Sequence, residues 1–361
     1  MKVVIAPDGF GGTLSARAAA DAIAAGWRDA RPDDDVTCVP LSDGGEGLVD
    51  VLVGDDDEVV TAEVAGPVGR PVEASWLLRA DGSAVIESAQ ACGLALVPEG
   101  ERDPLRATTF GVGELLEAAR DAGVRRILLG LGGSATVDGG TGALLGLGFK
   151  LTVDDGSGLK VGAEDLERVA RAEAGWSGDW SGIEVVLLAD VATRLADAAA
   201  TFGPQKGATD EVVARLARGL EAWAAVAERD LAGGRPLRRK PGSGAAGGLG
   251  FGLACGIGAR FDEGSRIVAE LQDLAVTVLG ADLVVTGEGR LDATSTQGKV
   301  VGRVVAQATA AGVQVAGVVG SVGDGAPELA DVEAAAPDGP GDDPAGEVRT
   351  AAAHLASRIE L

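Results

Sequence analysis

The chain has little of several side chains that enzymes commonly use for chemistry. It contains no tyrosine, one histidine and three cysteines among 361 residues, and aromatic residues make up only 3%. The histidine, His354, lies near the C-terminus, and Cys38, Cys92 and Cys255 are far apart with no CxxC pair. A Ser-His-Asp triad, a histidine general base and a zinc site are thereby excluded. We interpret the cysteines as buried, reduced thiols.

Positive charge is also scarce. The formal net charge is −24, from 31 Lys and Arg against 55 Asp and Glu. Nucleic-acid binders neutralise phosphates with clustered Lys and Arg, so DNA and RNA are excluded as partners. An acidic surface repels anions, and any anion site must therefore be locally basic or built from backbone N–H groups. Among the few lysines, Lys206 and Lys299 stand beside glycine, which lets a ligand approach the backbone closely.

Long hydrophobic runs are missing as well. The N-terminal run MKVVIAPD is interrupted by Pro7 and Asp8 and is too short for a signal-peptide core. No charge-free apolar run of about 18 residues occurs, which argues against a membrane span. We therefore expect a soluble, cytoplasmic protein with no membrane partner. Its core must consist of small aliphatic residues, because hydrophobic residues reach 46% while aromatics are rare.

The order of local patterns predicts alternating strands and helices. Residues 2–6, 36–41, 125–130, 281–286 and 313–319 have the pattern of buried strands, and a further strand ends at Asp190. Helical periodicity covers 15–30, with Ser15 as N-cap, and then 111–122, 210–231 and 298–311. Alternating runs within 58–87, separated by Gly-Pro and Asp-Gly turns, predict antiparallel hairpins. Residues 235–240 and 335–346 have the composition of a mobile loop and a surface loop.

Two familiar nucleotide-binding motifs are absent or out of context. The stretch GRLDATSTQGKV ends like a Walker A motif, but its first glycine is misplaced and Val300 replaces Ser or Thr. Residues 242–247 satisfy GxGxxG but follow a basic Pro-Gly loop instead of a strand. We therefore favour glycines that allow close helix packing over a dinucleotide site.

Three segments combine glycine with carboxylate after a predicted strand: residues 43–46 (DGGE), 134–140 (SATVDGG) and 287–292 (GEGRLD). Backbone N–H groups in glycine turns can bind phosphate. Asp43, Asp138, Glu288 and Asp292 are candidates to hold Mg²⁺, directly or through water. Ordinary acidic turns remain the alternative for any single segment.

Seven motifs occur in the order found in one enzyme family: KVVIAPDGF, PLSDGGEG, ESAQACGLALVPEGERDPLRATTFGVGELL, GLGGSATVDGG, FGPQKGAT, GAAGGLGFGL and DLVVTGEGRLDATSTQGK. From residue 2 to about residue 320 the chain resembles the bacterial two-domain glycerate kinases. The resemblance implies two unlike α/β domains, one Rossmann-like with a mainly parallel sheet and one with a mixed sheet. It also implies an active site in the cleft between them. We expect residues 1–60 with 270–361 to form the first domain and 61–269 the second, a division that also suits the chain length.

The resemblance implies ATP and Mg²⁺ as co-reactants, D-glycerate as acceptor, and 2- or 3-phosphoglycerate as product. The expected catalytic residues are Asp43, Asp190, Lys206, Arg290 and Asp292. The expected nucleotide-binding residues are Gly132, Gly133, Ser134, Asp138, Gly139, Gly287, Glu288 and Gly289. Asp8, Arg290 and Lys299 are expected to bind substrate, and Asp138, Glu288 and Asp292 to bind the metal. The sequence does not show which carboxylate acts as the general base. It also leaves the oligomeric state open, for which a homodimer is one alternative.

The chain also departs from the family pattern. Where the family usually reads Asp-Ser-Phe-Lys-Gly-Ser, this chain has Gly9 and Gly11 in place of Ser and Lys. Thr193-Arg194 replaces an Asn-Pro pair, and Thr294 and Val301 replace Gln and Pro. Two alternatives follow from these departures: a catalytically weakened homologue that senses glycerate or nucleotide, and a kinase of a related small hydroxy acid.

Overall fold

The chain divides into two units in a computed structural model that describes residues 1–176, 178–189, 192–296 and 298–359. The first unit comprises Met1–Asp43, Asp50–Leu52 and Glu263–Leu361. The second comprises Gly44–Val49 and Val53–Asp262. The chain thus passes between units near Asp43 and after Asp262, whereas the sequence placed the crossings after residues 60 and 269.

The strands are β1 (Lys2–Pro7), β2 (Asp35–Cys38), β3 (Glu58–Ala65), β4 (Pro71–Leu78), β5 (Ser83–Glu87), β6 (Arg126–Gly130), β7 (Lys150–Val153), β8 (Val169–Glu173), β9 (Glu184–Leu188), β10 (Arg260–Asp262), β11 (Leu283–Gly287), β12 (Arg290–Leu291), β13 (Gln314–Val319), β14 (Ser321–Val322) and β15 (Val332–Ala334).

The α-helices are α1 (Ala16–Ala30), α2 (Leu48–Leu52), α3 (Ala89–Cys92), α4 (Phe110–Asp121), α5 (Thr141–Gly146), α6 (Leu195–Phe202), α7 (Asp210–Asp230), α8 (Ala245–Gly256), α9 (Gly264–Leu271), α10 (Leu274–Val278), α11 (Val300–Ala311) and α12 (Pro344–Arg358). Short 3₁₀ turns cover Leu94–Leu96, Glu99–Glu101, Leu166–Arg168, Pro204–Lys206 and Leu237–Arg239. Across the described residues, no helix is both long and apolar enough to span a membrane.

The sheet of the first unit has the order β15-β13-β11-β1-β2, and each neighbouring pair is parallel. Its central strands are nearly continuous apolar runs, as expected for strands covered on both faces. Ile5 belongs to a core with Ile23 of α1 and Leu355 of α12. On β13, Val319 instead joins a cluster with α11. The two faces of the sheet therefore pack against different helices, one against α1 and α12 and the other against α11.

The sheet of the second unit has the order β10-β9-β6-β5-β4-β3. Strands β10, β9, β6 and β5 pair in parallel, and β5, β4 and β3 pair antiparallel as the predicted hairpins. Its core includes Trp76, Leu129 and an edge-to-face pair of Trp223 and Phe251, whose ring centres are 6.5 Å apart. The prediction of two unlike α/β domains, one with a parallel and one with a mixed sheet, is confirmed.

The glycine-rich stretch at 242–247 does not follow a strand. It comes after the 3₁₀ turn Leu237–Arg239, and its backbone is left-handed at Ala246 and Gly247, with φ of 48° and 66°. A Cβ atom on Gly247 would lie 1.9 Å from the carbonyl oxygen of Thr136. Close packing therefore explains this glycine, and the preference for packing over dinucleotide binding is supported.

The basic segment at 235–240 was expected to be mobile, and the structure corrects this. The Arg238 guanidinium lies 2.8 Å from the Glu228 carboxylate and also pairs with Glu221, and the Arg238 backbone N–H donates to Glu228 at 2.8 Å. Opposite charges on α7 thus anchor the segment, which sequence composition alone does not reveal.

Candidate active site

A cavity of about 440 Å³ lies in the first unit, where β1, β11 and β13 end. Because Pro7 pairs with Gly287 in register, the residues that follow, Asp8 and Glu288, start from the same edge of the sheet. Ligands of open α/β sheets bind outside the carboxyl ends of the strands. The polar side chains that line the cavity belong to Asp8, Thr13, Asp43, Glu288, Arg290, Asp292, Thr294, Lys299, Ser321 and Glu347.

Glu288 is the lining residue whose environment most directly indicates a ligand. Its side chain is buried, at 8% exposure, and Oε1 has no hydrogen-bond partner among the residues that the structure describes. Burial raises the pKa of the Glu288 carboxyl. The Ser295 hydroxyl and the positive charge of Lys299 oppose that shift. An unsatisfied buried carboxylate oxygen is costly, so a bound cation or a hydrogen-bond donor from a ligand would stabilise it.

Asp292 lines the same cavity, but its pKa is lowered whereas that of Glu288 is raised. Its Oδ1 accepts the backbone N–H and the hydroxyl of Thr294, both at 2.8 Å, and these bonds lower the pKa of Asp292. Oδ2 is 3.6 Å from Nε of Arg290. Thr294, a departure from the family pattern, thus orients a carboxylate that remains charged near neutral pH.

The loop after β1 contains two further departures from the family pattern, Gly9 and Gly11. Asp8 Oδ1 accepts the N–H of Gly9 at 2.7 Å. Gly11 has a φ of 49°, and a Cβ atom there would meet nothing within 4 Å. The position where the family usually has lysine therefore lies in open space but in a left-handed conformation, which favours glycine.

Two of the predicted nucleotide-binding glycines are explained by close packing. A Cβ atom on Gly287 would lie 2.2 Å from the Val318 carbonyl oxygen, and one on Gly289 would lie 3.2 Å from the Gly11 nitrogen. Gly287 thus lets β11 lie close to β13, and Gly289 lets the chain after β11 lie close to the loop after β1. Their predicted role in binding nucleotide stays a prediction.

The second unit gathers the remaining motifs at the ends of its own parallel strands. Glu87 of β5 is in register with Gly130 of β6, which in turn is in register with Leu188 of β9. The glycine loop at 132–140 follows β6. Lys206 is 2% exposed, and its Nζ donates to Ser134 Oγ at 2.9 Å and to the Thr136 carbonyl at 2.7 Å. Burial lowers the pKa of Lys206 to about 8.

Asp138 has no exposed surface, and both carboxylate oxygens accept hydrogen bonds. Oδ2 accepts the N–H and hydroxyl of Thr109 at 2.9 Å and the N–H of Gly142 at 3.2 Å, and Oδ1 accepts the N–H of Gly140 at 3.0 Å. Burial raises the pKa of Asp138 against these bonds. This geometry favours a role in shaping the loop over metal binding.

The structure thus divides the predicted site residues between its two units. Asp8, Asp43, Glu288, Gly289, Arg290, Asp292 and Lys299 line the one cavity described above. Gly132, Gly133, Ser134, Asp138, Gly139 and Lys206 belong to the second unit. Gly287 ends β11, and Asp190 lies outside the described residues. Within the described part of the chain, no three His, Cys, Asp or Glu residues form a preformed metal cluster.

Sequence patterns alone did not indicate Ser295, Ser321 or the lining contributed by residues 335–348. Ser295 receives the N–H of Asp292 at 2.9 Å and contacts the Glu288 carboxylate. Its place three residues after Asp292 is typical of a turn and was a signal that could have been used. Apart from Glu347, the 335–348 lining has no such signal, because its residues are uncharged.

Comparison with known proteins points to one family. Residues 3–358 match the profile described as the Glycerate kinase family. The chain is 41% identical over 328 residues to a Bacillus subtilis protein named glycerate kinase, covering 89% of this chain and 85% of that one. It is 38% identical over 330 residues to glycerate 2-kinase of Escherichia coli, covering 90% and 86%. A solved Salmonella typhimurium structure, assigned to a glycerate kinase 2, matches with a TM-score of 0.84 and 39% identity over 99% of this chain and 97% of that one.

The lowered pKa of the buried Lys206 predicts how the free energy of unfolding changes at alkaline pH. Its pKa in the folded state, about 8, lies below the ordinary value of 10.5. Between those values the unfolded chain binds more protons than the folded chain, so the lysine's contribution to the free energy of unfolding rises with pH. We expect the difference between parent and Lys206→Met in urea unfolding to rise from about pH 8 toward pH 10.5.

The control is Lys160→Met, which removes an exposed lysine from the same unit and should leave the pH dependence of the parent unchanged. A difference between parent and Lys206→Met that stays flat over this pH range would show that Lys206 remains fully charged in the fold.

Proposed function

The chain belongs to the glycerate kinase family, and we propose that it transfers the γ-phosphoryl group of ATP to D-glycerate. The attacking hydroxyl oxygen forms the new P–O bond, the bond to the β-phosphate oxygen breaks, and the hydroxyl proton is released. The observation that carries the proposal is the first-unit cavity. There a buried carboxylate oxygen, Glu288 Oε1, has no partner in the described part of the chain and lies among lining residues that include Arg290 and Lys299. Phosphoryl transfer requires such positioned charges more than covalent chemistry.

The carboxylates of this cavity fit Mg²⁺. Magnesium usually keeps several waters and takes one or two protein carboxylates together with substrate phosphates, so a preformed three-ligand cluster is not required. Asp292 would hold it together with Glu288, whose Oε1 accepts no hydrogen bond from any residue that the structure describes. When bound, the ion would offset negative charge on the phosphate oxygens.

The side chains of the chain itself would do the rest. Arg290 and Lys299 supply the positive charge that an otherwise acidic protein lacks, and they would stabilise charge developing on the transferred phosphoryl group. Asp8 and Asp43 line the same cavity and are the candidates for orienting the attacking hydroxyl. Lys206, buried and bonded to Ser134 and Thr136, would position the glycine loop of the second unit.

We propose the 2-hydroxyl as the acceptor, with 2-phosphoglycerate as product. The support is the name of the Escherichia coli relative, glycerate 2-kinase. The test is a coupled ADP-release assay over a panel of short hydroxy acids, with the product identified by ³¹P and ¹³C NMR. Turnover with D-glycerate and a phosphorus-coupled C2 carbon are the expected results. Ligand binding without ADP release would instead favour the sensor, and turnover with another acid alone would favour the related kinase.

The proposed metal role of Glu288 predicts a specific defect. Glu288→Gln keeps the shape of the side chain but removes its charge, and a charged contact contributes roughly 1.5–3 kcal/mol. We expect the Mg²⁺ concentration for half-maximal activity to rise about tenfold or more. Mn²⁺ titration followed by EPR in the presence of ADP should show the same weakening without turnover.

The matched control is Glu328→Gln, the same change on an exposed carboxylate of the same unit that does not line the cavity. Equal shifts in the two variants would mean that general negative potential, and not ligation by Glu288, sets the metal dependence.

The open space at Gly11 predicts that a lysine at this position, as in the family pattern, raises kcat/KM. A side chain at a left-handed position costs about 1–2 kcal/mol of stability, and Gly11→Lys and Gly11→Ala should share that cost in thermal melts. The added cation should raise kcat/KM of the Lys variant about tenfold to hundredfold above the Ala variant. If the two variants have equal kcat/KM, Arg290 and Lys299 already supply the required charge.

A further inference from the structure

The cavity of the first unit has a part that the phosphate-handling residues do not explain. Residues 335–348 contribute a second lining, which includes one charged residue, Glu347. Its other members are Ala335, Ala336, Gly339, Pro340, Pro344 and Val348, which we call the uncharged wall. None of these side chains can donate a hydrogen bond or carry charge. They therefore cannot hold a phosphate or a carboxylate through their side chains.

The uncharged wall is attached directly to the strand ends that form the rest of the cavity. The N–H of Ala335 donates to the Val319 carbonyl at 2.7 Å, and the N–H of Ala336 donates to the Gly320 carbonyl at 2.8 Å. These bonds continue the parallel pairing of β13 with β15 beyond the ends of both strands. The wall consequently begins beside Gly320 and Ser321, which line the same cavity.

The remainder of the wall is held by the first turn of α12. Glu347 accepts the N–H of Gly341 on both carboxylate oxygens, at 3.1 and 3.3 Å. Asp343 caps the helix by accepting the N–H of Gly346 at 3.0 Å. Carboxylates thus fix a Pro- and Gly-rich segment that would otherwise have many conformations, and Val348, the last residue of the wall, is 2% exposed.

We propose that the uncharged wall binds the base of the nucleoside triphosphate; this inference rests on the proposed kinase function. A nucleotide has a polyanionic end and a flat base with apolar faces. The cavity has the same two parts: one lining has Arg290, Lys299 and most of the carboxylates, and the other has Ala, Pro and Val beside Glu347, whose carboxylate accepts the Gly341 N–H. Ligand pockets typically combine an apolar surface with a few placed polar groups. The base is thereby assigned to the first unit and not to the glycine loop of the second.

The test introduces a large side chain on the uncharged wall. It compares the Kd of a ligand that has a nucleotide base with the Kd of one that lacks it. Ala336→Trp places a large side chain on the wall, and Ala345→Trp makes the same change at an exposed residue of the same segment that does not line the cavity. Calorimetry without glycerate measures the Kd of Mg²⁺–ATP and of Mg²⁺–tripolyphosphate. We expect Ala336→Trp to raise the Kd for ATP at least about tenfold and to leave tripolyphosphate within about twofold, with Ala345→Trp like the parent.

Three outcomes would overturn the inference. If Ala336→Trp binds ATP as Ala345→Trp does, the base lies elsewhere. If it weakens ATP and tripolyphosphate equally, the wall acts on the phosphates. If the parent itself binds no ATP, the proposed function fails and the inference fails with it, a result distinct from the first two. Should Ala336→Trp not fold by circular dichroism, Pro340→Trp, at an exposed position on the same wall, decides between these outcomes.

Discussion

Parallel pairing of β1, β11 and β13 is the constraint from which the candidate site follows. Parallel strands end at the same edge of a sheet, and the register that pairs Pro7 with Gly287 starts Asp8 and Glu288 from that edge. The same pairing, continued by Ala335 and Ala336, brings the C-terminal segment to the cavity. Side chains far apart in sequence thus share one cavity because of a backbone hydrogen-bond pattern, and apolar strands buried on both faces hold that pattern in place.

Two buried charged residues show how the surroundings separate a structural role from a ligand-binding one. Lys206 donates to two oxygen acceptors, and its hydrogen bonds join a turn to the glycine loop of the second unit. Glu288 is almost as buried but retains an oxygen without a partner among the described residues. A satisfied buried group is explained by the fold, whereas an unsatisfied one that also lines a cavity is placed to accept a contact from a ligand. This difference makes Glu288 the stronger indication of a ligand.

Glycine is favoured at different positions of these motifs for different physical reasons. Gly287, Gly289 and Gly247 lie where a Cβ atom would approach another segment too closely. Gly11 lies in open space, and only its positive φ favours glycine. A change at the first kind of position disrupts packing, whereas a change at Gly11 adds a side chain to the cavity at a conformational cost. The departure from the family pattern at Gly11 therefore alters the charge of the site without altering the sheet beneath it.

The sequence by itself determined the main element types, because apolar periodicity is a local property of the chain. Ser15 as N-cap and the hairpins within 58–87 are examples. The motif order indicated the family, and through that resemblance the two unlike α/β units and seven of the residues that line the cavity: Asp8, Asp43, Glu288, Gly289, Arg290, Asp292 and Lys299. Only the tertiary structure decided which motif residues meet. It placed Asp138 in a saturated hydrogen-bond network and left Glu288 Oε1 without a partner among the described residues. It also placed part of the expected surface loop at 335–346 along the cavity. Burial, hydrogen-bond satisfaction and long-range register depend on residues hundreds of positions apart, so no local pattern records them.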